Sequence, residues 1–290
     1  MRELLWDGIT RSKTLNATAV QDRQAVIDAA KKRDWSGLLE ILARDRRLAN
    51  AVRPDGNALY ENELPLEVTA IQFERGMSLP NFRYAAHLYI NDWLAWDKRF
   101  HDCLCPEADV VNDLAAGAKT MVEVATYYSV ARTLPRIEDQ EEYRLGTAYK
   151  ELRAIEYIPD GEVANTVCTY AEKLKCVYGH TALSAASKFL WMRFRDPIII
   201  YDSITLQWLH SNKEFDKKKC EYAPFLDAWL AAYAKVEGGI REACCDLRGI
   251  KRFILREVSD DELFACTSSS WFMKRVFDYS MTYAPEDHAF

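Results

Sequence analysis

The segment Ser184-Ala185-Ala186-Ser187-Lys188-Phe189-Leu190-Trp191-Met192-Arg193-Phe194-Arg195-Asp196-Pro197-Ile198-Ile199-Ile200-Tyr201-Asp202-Ser203-Ile204-Thr205-Leu206-Gln207-Trp208-Leu209 decides how this chain is read. Its first half draws as a helix over residues 181–194. Ala182, Ala185, Phe189 and Met192 share one face, and Ser184, Ser187, Lys188 and Trp191 share another. The small residues on the first face let a neighbouring helix approach closely. Arg195-Asp196-Pro197 turns the chain, and Ile198–Tyr201 returns as an extended apolar crossing. Asp202 then stands immediately ahead of a second helix, Ser203–Leu209, as its N-cap.

This layout can bring a lysine and an aspartate together. From Lys188 to Phe194 a helix advances about 9 Å, and the residues back to Asp202 can cover about 23 Å when extended. A cap aspartate accepts backbone N–H bonds that hold it ionised, which also suits a carboxylate meant to stabilise positive charge. Structural cap and catalytic acid both remain open for Asp202.

Helical patterns surround the segment. Apolar residues repeat at helical spacing over Val26–Leu42, and Arg53-Pro54-Asp55-Gly56-Asn57 is a turn. Tyr89, Trp93, Trp96 and Phe100 form an aromatic stripe of the kind that fills cores. Further helices are expected over 108–134 with a bend near Gly117, over 141–158, and over 163–176. Phe225–Val236 and Ile240–Leu255 follow with Gly238-Gly239 as the joint between them, then 260–264 and 270–279. Only Ile198–Tyr201 looks like a strand, too short to make a sheet. The expected fold is therefore all-α, with an N-terminal helical hairpin region over residues 1–60 and a larger helical domain over 61–290.

Composition bounds the function. The 290 residues are 49% hydrophobic and 28% charged with a net charge of −6, ordinary for a soluble globular protein. No apolar run approaches the roughly 18 residues of a membrane span, and the acids in Met1–Asp7 do not suit a signal peptide, so a cytoplasmic protein is expected. The eight cysteines form no Cys-x-x-Cys pair, which fits reduced thiols. His101, Cys103 and Cys105 match no common zinc spacing, so no metal is expected. The acidic balance argues against a surface that grips nucleic acid everywhere, but basic clusters stand at Lys217–Lys219 and at Arg248, Lys251, Arg252 and Arg256. The second carries residues 248, 252 and 256 on one helical face, where it serves either as a phosphate-binding patch or as a solvated face.

The pattern Ser184-Ala185-Ala186-Ser187-Lys188-Phe189-Leu190, then Pro197, then Ile199-Ile200-Tyr201-Asp202-Ser203, resembles the active-site segment of the helix-hairpin-helix superfamily of DNA glycosylases. Within it, the likeness is to bacterial proteins of the 8-oxoguanine DNA glycosylase fold. The closing run Trp271-Phe272-Met273-Lys274-Arg275-Val276-Phe277-Asp278 is similar to closing helices of such proteins, and the resemblance spans residues 165–279.

The resemblance implies an enzyme that needs DNA as partner and no cofactor. It would cleave the N-glycosidic bond of a modified or damaged base flipped out of the stack. Asp202 would stabilise the oxocarbenium-like sugar and orient water. Lys188 would attack the sugar as an amine, or hold a phosphate or the departing base. Tyr201, Trp191 and Trp271, with Ser187, would line the base pocket. Gly179 and His180 stand where the family carries a glycine-rich, phosphate-holding hairpin. The run Cys176–His180 has one glycine and no proline there, which favours simple hydrolysis over lyase chemistry. The acidic balance and the long stretch before residue 165 suggest action on modified foreign DNA such as phage genomes. The competing expectation is a noncatalytic DNA- or protein-binding module that keeps the fold and uses Asp202 as a cap.

Overall fold

The computed structural model describes residues 77, 79–108, 113–135, 143–212, 221–249 and 258–283. The hairpin region expected over residues 1–60 lies outside the described residues, as does the lysine cluster at 217–219. The described chain divides into two compact units. One is Asp97–Ala232, and the other joins the residues before Asp97 to those from Tyr233 onward.

The architecture is all-α: among the described residues there is no strand. The Asp97–Ala232 unit holds α2 (Lys98–Leu104), α3 (Leu114–Tyr127), α4 (Gly146–Arg153), α5 (Val163–Tyr178), α6 (Leu183–Phe194) and α7 (Ser203–Ser211). The other holds α1 (Leu79–Asp92), α9 (Asp260–Thr267) and α10 (Ser270–Tyr283), with α1 packed on α10. Helix α8 (Tyr222–Asp246) contributes its first part, through Ala232, to the former unit and the remainder to the latter.

Helix α6 is the centre of its unit. Every residue from Ala185 to Arg193 is buried, as expected of a helix enclosed on all sides. Helices α5, α2 and α3 pack around it. Arg193 is held in this core by three backbone carbonyls, those of Leu104 and Ile155 at 3.0 Å and of Arg153 at 3.4 Å. That clasp explains a difference from the sequence pattern. Of the helix expected over 141–158 the described residues form Gly146–Arg153; Arg193 takes the carbonyl of its last residue and that of Ile155 just beyond, and residues 155–159 run without regular structure.

Two other expectations change. Within the helix expected over 108–134, the described residues form α-helix over Leu114–Tyr127, capped by Asp113, whose carboxylate accepts from the backbone N–H of Ala115 and Ala116 at 2.9 and 3.1 Å. Gly117 is a contact point within this helix, since a Cβ there would lie 2.0 Å from Cζ of the Tyr149 ring. The Gly238-Gly239 pair is likewise no joint, for α8 runs through it. Gly239 is there for space: a Cβ would stand 3.1 Å from the Phe82 ring.

The crossing from α6 to α7 has no sheet partner, so side chains satisfy its backbone. The Tyr222 hydroxyl accepts from Ile199 N–H at 3.1 Å and donates to Ile199 C=O at 2.7 Å. Ser187 Oγ accepts from Tyr201 N–H at 2.9 Å. The turn into the crossing places Arg195 at φ 58°, a left-handed conformation that costs a non-glycine residue energy.

Candidate functional site

The crossing delivers Asp202 to the side of Lys188. Lys188 Nζ donates to Ser184 Oγ at 2.6 Å, to the Tyr201 carbonyl at 3.3 Å and to Asp202 Oδ2 at 3.5 Å. An ammonium has three protons, and this arrangement gives each an acceptor. The side chain of Lys188 is 1% exposed and that of Asp202 13%. Burying an unpaired ammonium costs several kcal/mol, which these three acceptors, one of them a carboxylate, offset.

Asp202 caps α7 as its position before a helix implied. Its backbone is extended, with φ −135° and ψ 144°, and its Oδ1 accepts from Ile204 N–H at 2.9 Å. One carboxylate oxygen therefore serves the helix end while the other faces the ammonium. The helix N-terminus and the Lys188 charge both favour the ionised form.

Ser187 and Tyr201 join this pair through the bond from Tyr201 N–H to Ser187 Oγ. Tyr201 is 9% exposed, and its ring meets Phe225 edge-on with centroids 4.9 Å apart. Trp191 lies on the same helix as Lys188 and is 1% exposed, filling the core. Trp271 belongs to the other unit, where its ring packs 4.4 Å from Trp93 and edge-on to Tyr89.

The expected DNA contacts fall in different parts of the chain. Gly179 ends α5 in a left-handed conformation at φ 75°, its N–H bonded to Lys175 C=O at 2.8 Å, with exposed His180 next to it. Arg248 is in the second unit, its guanidinium 4.4 Å from the centroid of the half-exposed Phe264 ring and its Nε donating to Thr267 Oγ1 at 3.2 Å. Lys251, Arg252 and Arg256 lie outside the described residues.

Two participants carried no assigned role in the sequence reading. Ser184 makes the shortest bond to Lys188, and its signal was the i,i+4 spacing that puts it on the lysine's face. Tyr222 holds the crossing in place from a helix remote in sequence, and no local pattern points to it. A groove of about 560 Å³ lies on α4 and α5 between Glu151, Cys168 and Cys176, spanned by the Lys173–Glu151 ion pair at 2.7 Å. None of the expected site residues lines it, and its Lys173–Glu151 pair is open to solvent, so the buried Lys188–Asp202 pair and not the groove is the candidate site. No group of three or more His, Cys, Asp or Glu side chains placed to hold a metal occurs among the described residues. Nor is any described helix long and apolar enough to cross a membrane. Comparisons with protein-family models, with curated proteins and with solved structures found no match.

Proposed function

We propose that this chain is a DNA glycosylase that hydrolyses the N-glycosidic bond of a modified or damaged base flipped out of DNA, with Asp202 as the carboxylate that stabilises the sugar cation. The observation that carries this is a half-buried aspartate at a helix start, 3.5 Å from a lysine that is 1% exposed. As the base departs, positive charge grows on the sugar ring, and a carboxylate fixed by Ile204 N–H and Lys188 meets it without reorganising. The resemblance of residues 184–203 to glycosylase active-site segments points the same way. Modified foreign DNA is the proposed biological target.

The test is incubation of the protein with duplexes carrying assorted modified bases, followed by heating in alkali. Strand breaks at the modified positions are expected, and Asp202→Asn should reduce them by about 100-fold or more. Undiminished cleavage by that variant would remove Asp202 from the chemistry.

A second reading is favoured by one observation. Ser187, Lys188 and Asp202 also serve backbone groups, those of Tyr201 twice and Ile204 once. They would then be the fasteners of a noncatalytic helical module that binds DNA or protein. That module would leave every duplex of the panel intact.

A further inference from the structure

We propose that the Ser184 hydroxyl is the proton donor to the departing base, resupplied by Lys188 in a circuit that Asp202 closes. This rests on the glycosylase reading above. Lys188 Nζ is enclosed in the core, and of its three acceptors the Ser184 hydroxyl lies closest. Ser184 is half-buried, in the first turn of α6. Among the described residues, the Ser184 hydroxyl has the Lys188 ammonium as its one hydrogen-bond partner, at 2.6 Å, and it accepts that bond. Its own proton is therefore available to a further acceptor. The residue before the helix is Ala182, whose side chain offers none. A hydroxyl that accepts from an ammonium is polarised into a stronger donor.

The proton bookkeeping closes. The bond between the sugar C1′ and the base nitrogen breaks, and its electron pair leaves with the base. Ser184 gives its hydroxyl proton to the base and takes one from Lys188 across the 2.6 Å bond. Water adds to C1′ through oxygen and loses a proton to Asp202. Asp202 passes that proton to the neutral Lys188 amine across 3.5 Å, and all three side chains regain their starting states. The hydroxyl of the water is then on the sugar and its proton on the base. In this scheme Ser184 and Asp202 are catalytic residues, while Lys188 is a positioning residue that acts through both.

The leaving group tests it. A 7-methylguanine is cationic in DNA and departs neutral, needing no proton, whereas hypoxanthine and 8-oxoguanine depart with negative charge to be quenched. Single-turnover base release is measured for the native chain, Ser184→Ala and Ser184→Thr on duplexes carrying each of these three bases. Ser184→Ala should slow release of hypoxanthine and 8-oxoguanine by on the order of 100-fold, and at least about tenfold more than release of 7-methylguanine. Ser184→Thr keeps the hydroxyl and should restore most of the lost rate. A general folding defect in Ser184→Ala would slow all three bases alike. Equal losses on all three bases in a Ser184→Ala chain that keeps the native urea midpoint, or no loss at all, would overturn the circuit and leave the glycosylase reading standing. Failure of the native chain to release any base, these three or any other of the modified-base panel, would overturn both.

Discussion

Replacing Asp202 with asparagine separates its charge from its cap, because asparagine caps a helix about as well as aspartate. At the observed 3.5 Å, two unit charges attract by about 5 kcal/mol at an effective dielectric constant of about 20. Part of that was spent in desolvating the pair. Removing one partner of a buried pair nevertheless costs about 3 kcal/mol, because the other charge is stranded. Here the stranded group would be the Lys188 ammonium, which water reaches at only 1% of its side-chain surface. Asp202→Ala should cost about 1 kcal/mol more through the lost cap.

The opposite deletion is gentler. Lys188→Met strands a carboxylate that is 13% exposed and still accepts from Ile204 N–H. It also relieves the cost of burying an ammonium, while freeing the Tyr201 carbonyl from its donor. The two effects nearly offset, and the variant should lie within about 1 kcal/mol of the native protein. Urea unfolding followed by circular dichroism, with stability taken from midpoints at constant slope, gives all three values. The expected order of cost is Asp202→Ala, then Asp202→Asn, then Lys188→Met. A Lys188→Met variant less stable than Asp202→Asn would refute the account of the pair.

Four further outcomes follow from particular contacts. Burial holds His87 and His101 at a pKa of about 4, with Arg195 adding to the effect at His101, against an ordinary 6.5. Both stay neutral when folded and take up protons when unfolded, so their contribution is complete above about pH 6.5 and is lost as pH falls towards 4, by up to about 3 kcal/mol each; urea midpoints unchanged between pH 7 and pH 5 would contradict this. Gly238→Ala, with nothing within 4 Å of the new Cβ, should stabilise α8 by about 0.5–1 kcal/mol, and Gly239→Ala should not, because its Cβ would press on Phe82 at 3.1 Å; thermal melts rank the two. Arg193→Leu removes the donor from the carbonyls of Leu104 and Ile155 and should cost about 3 kcal/mol by urea unfolding. Borohydride should trap no covalent adduct with substrate DNA, since the Lys188 nitrogen has its protons committed to three acceptors; an adduct abolished by Lys188→Arg would reverse that conclusion.

Local patterns carried the fold class and the Lys188–Asp202 juxtaposition. The cap role of Asp202 was legible because an acid before Ser203-Ile204-Thr205 has one favoured geometry. The extended crossing was legible from Pro197 and the β-branched run after it, though a strand needs partners and here Ser187, Lys188 and Tyr222 supply them. The glycine pair was misleading for a definite reason. A glycine marks either a backbone that must bend or a neighbour that must come close, and sequence does not tell these apart. In α8 the neighbour is Phe82, more than 150 residues away along the chain. The C-terminal end of α4 was hidden in the same way, since the arginine that takes the carbonyls of Arg153 and of Ile155 beyond it sits on α6.

Stability alone does not call for a lysine at position 188. A methionine there would fill the middle of α6 without desolvating a charge, and a buried ion pair seldom outperforms a packed apolar side chain. The crossing keeps its other anchors without it, since Tyr222 bonds Ile199 and Ser187 bonds Tyr201 N–H, and only the bond to the Tyr201 carbonyl is lost. An ammonium does supply what methionine lacks, namely protons handed to a half-buried hydroxyl on one side and a half-buried carboxylate on the other. A fastener that tolerates Lys188→Met in stability should also tolerate it in function. A proton circuit should keep the fold and lose base release, and that separation between stability and activity is what distinguishes the chemical reading of this pair from the structural one.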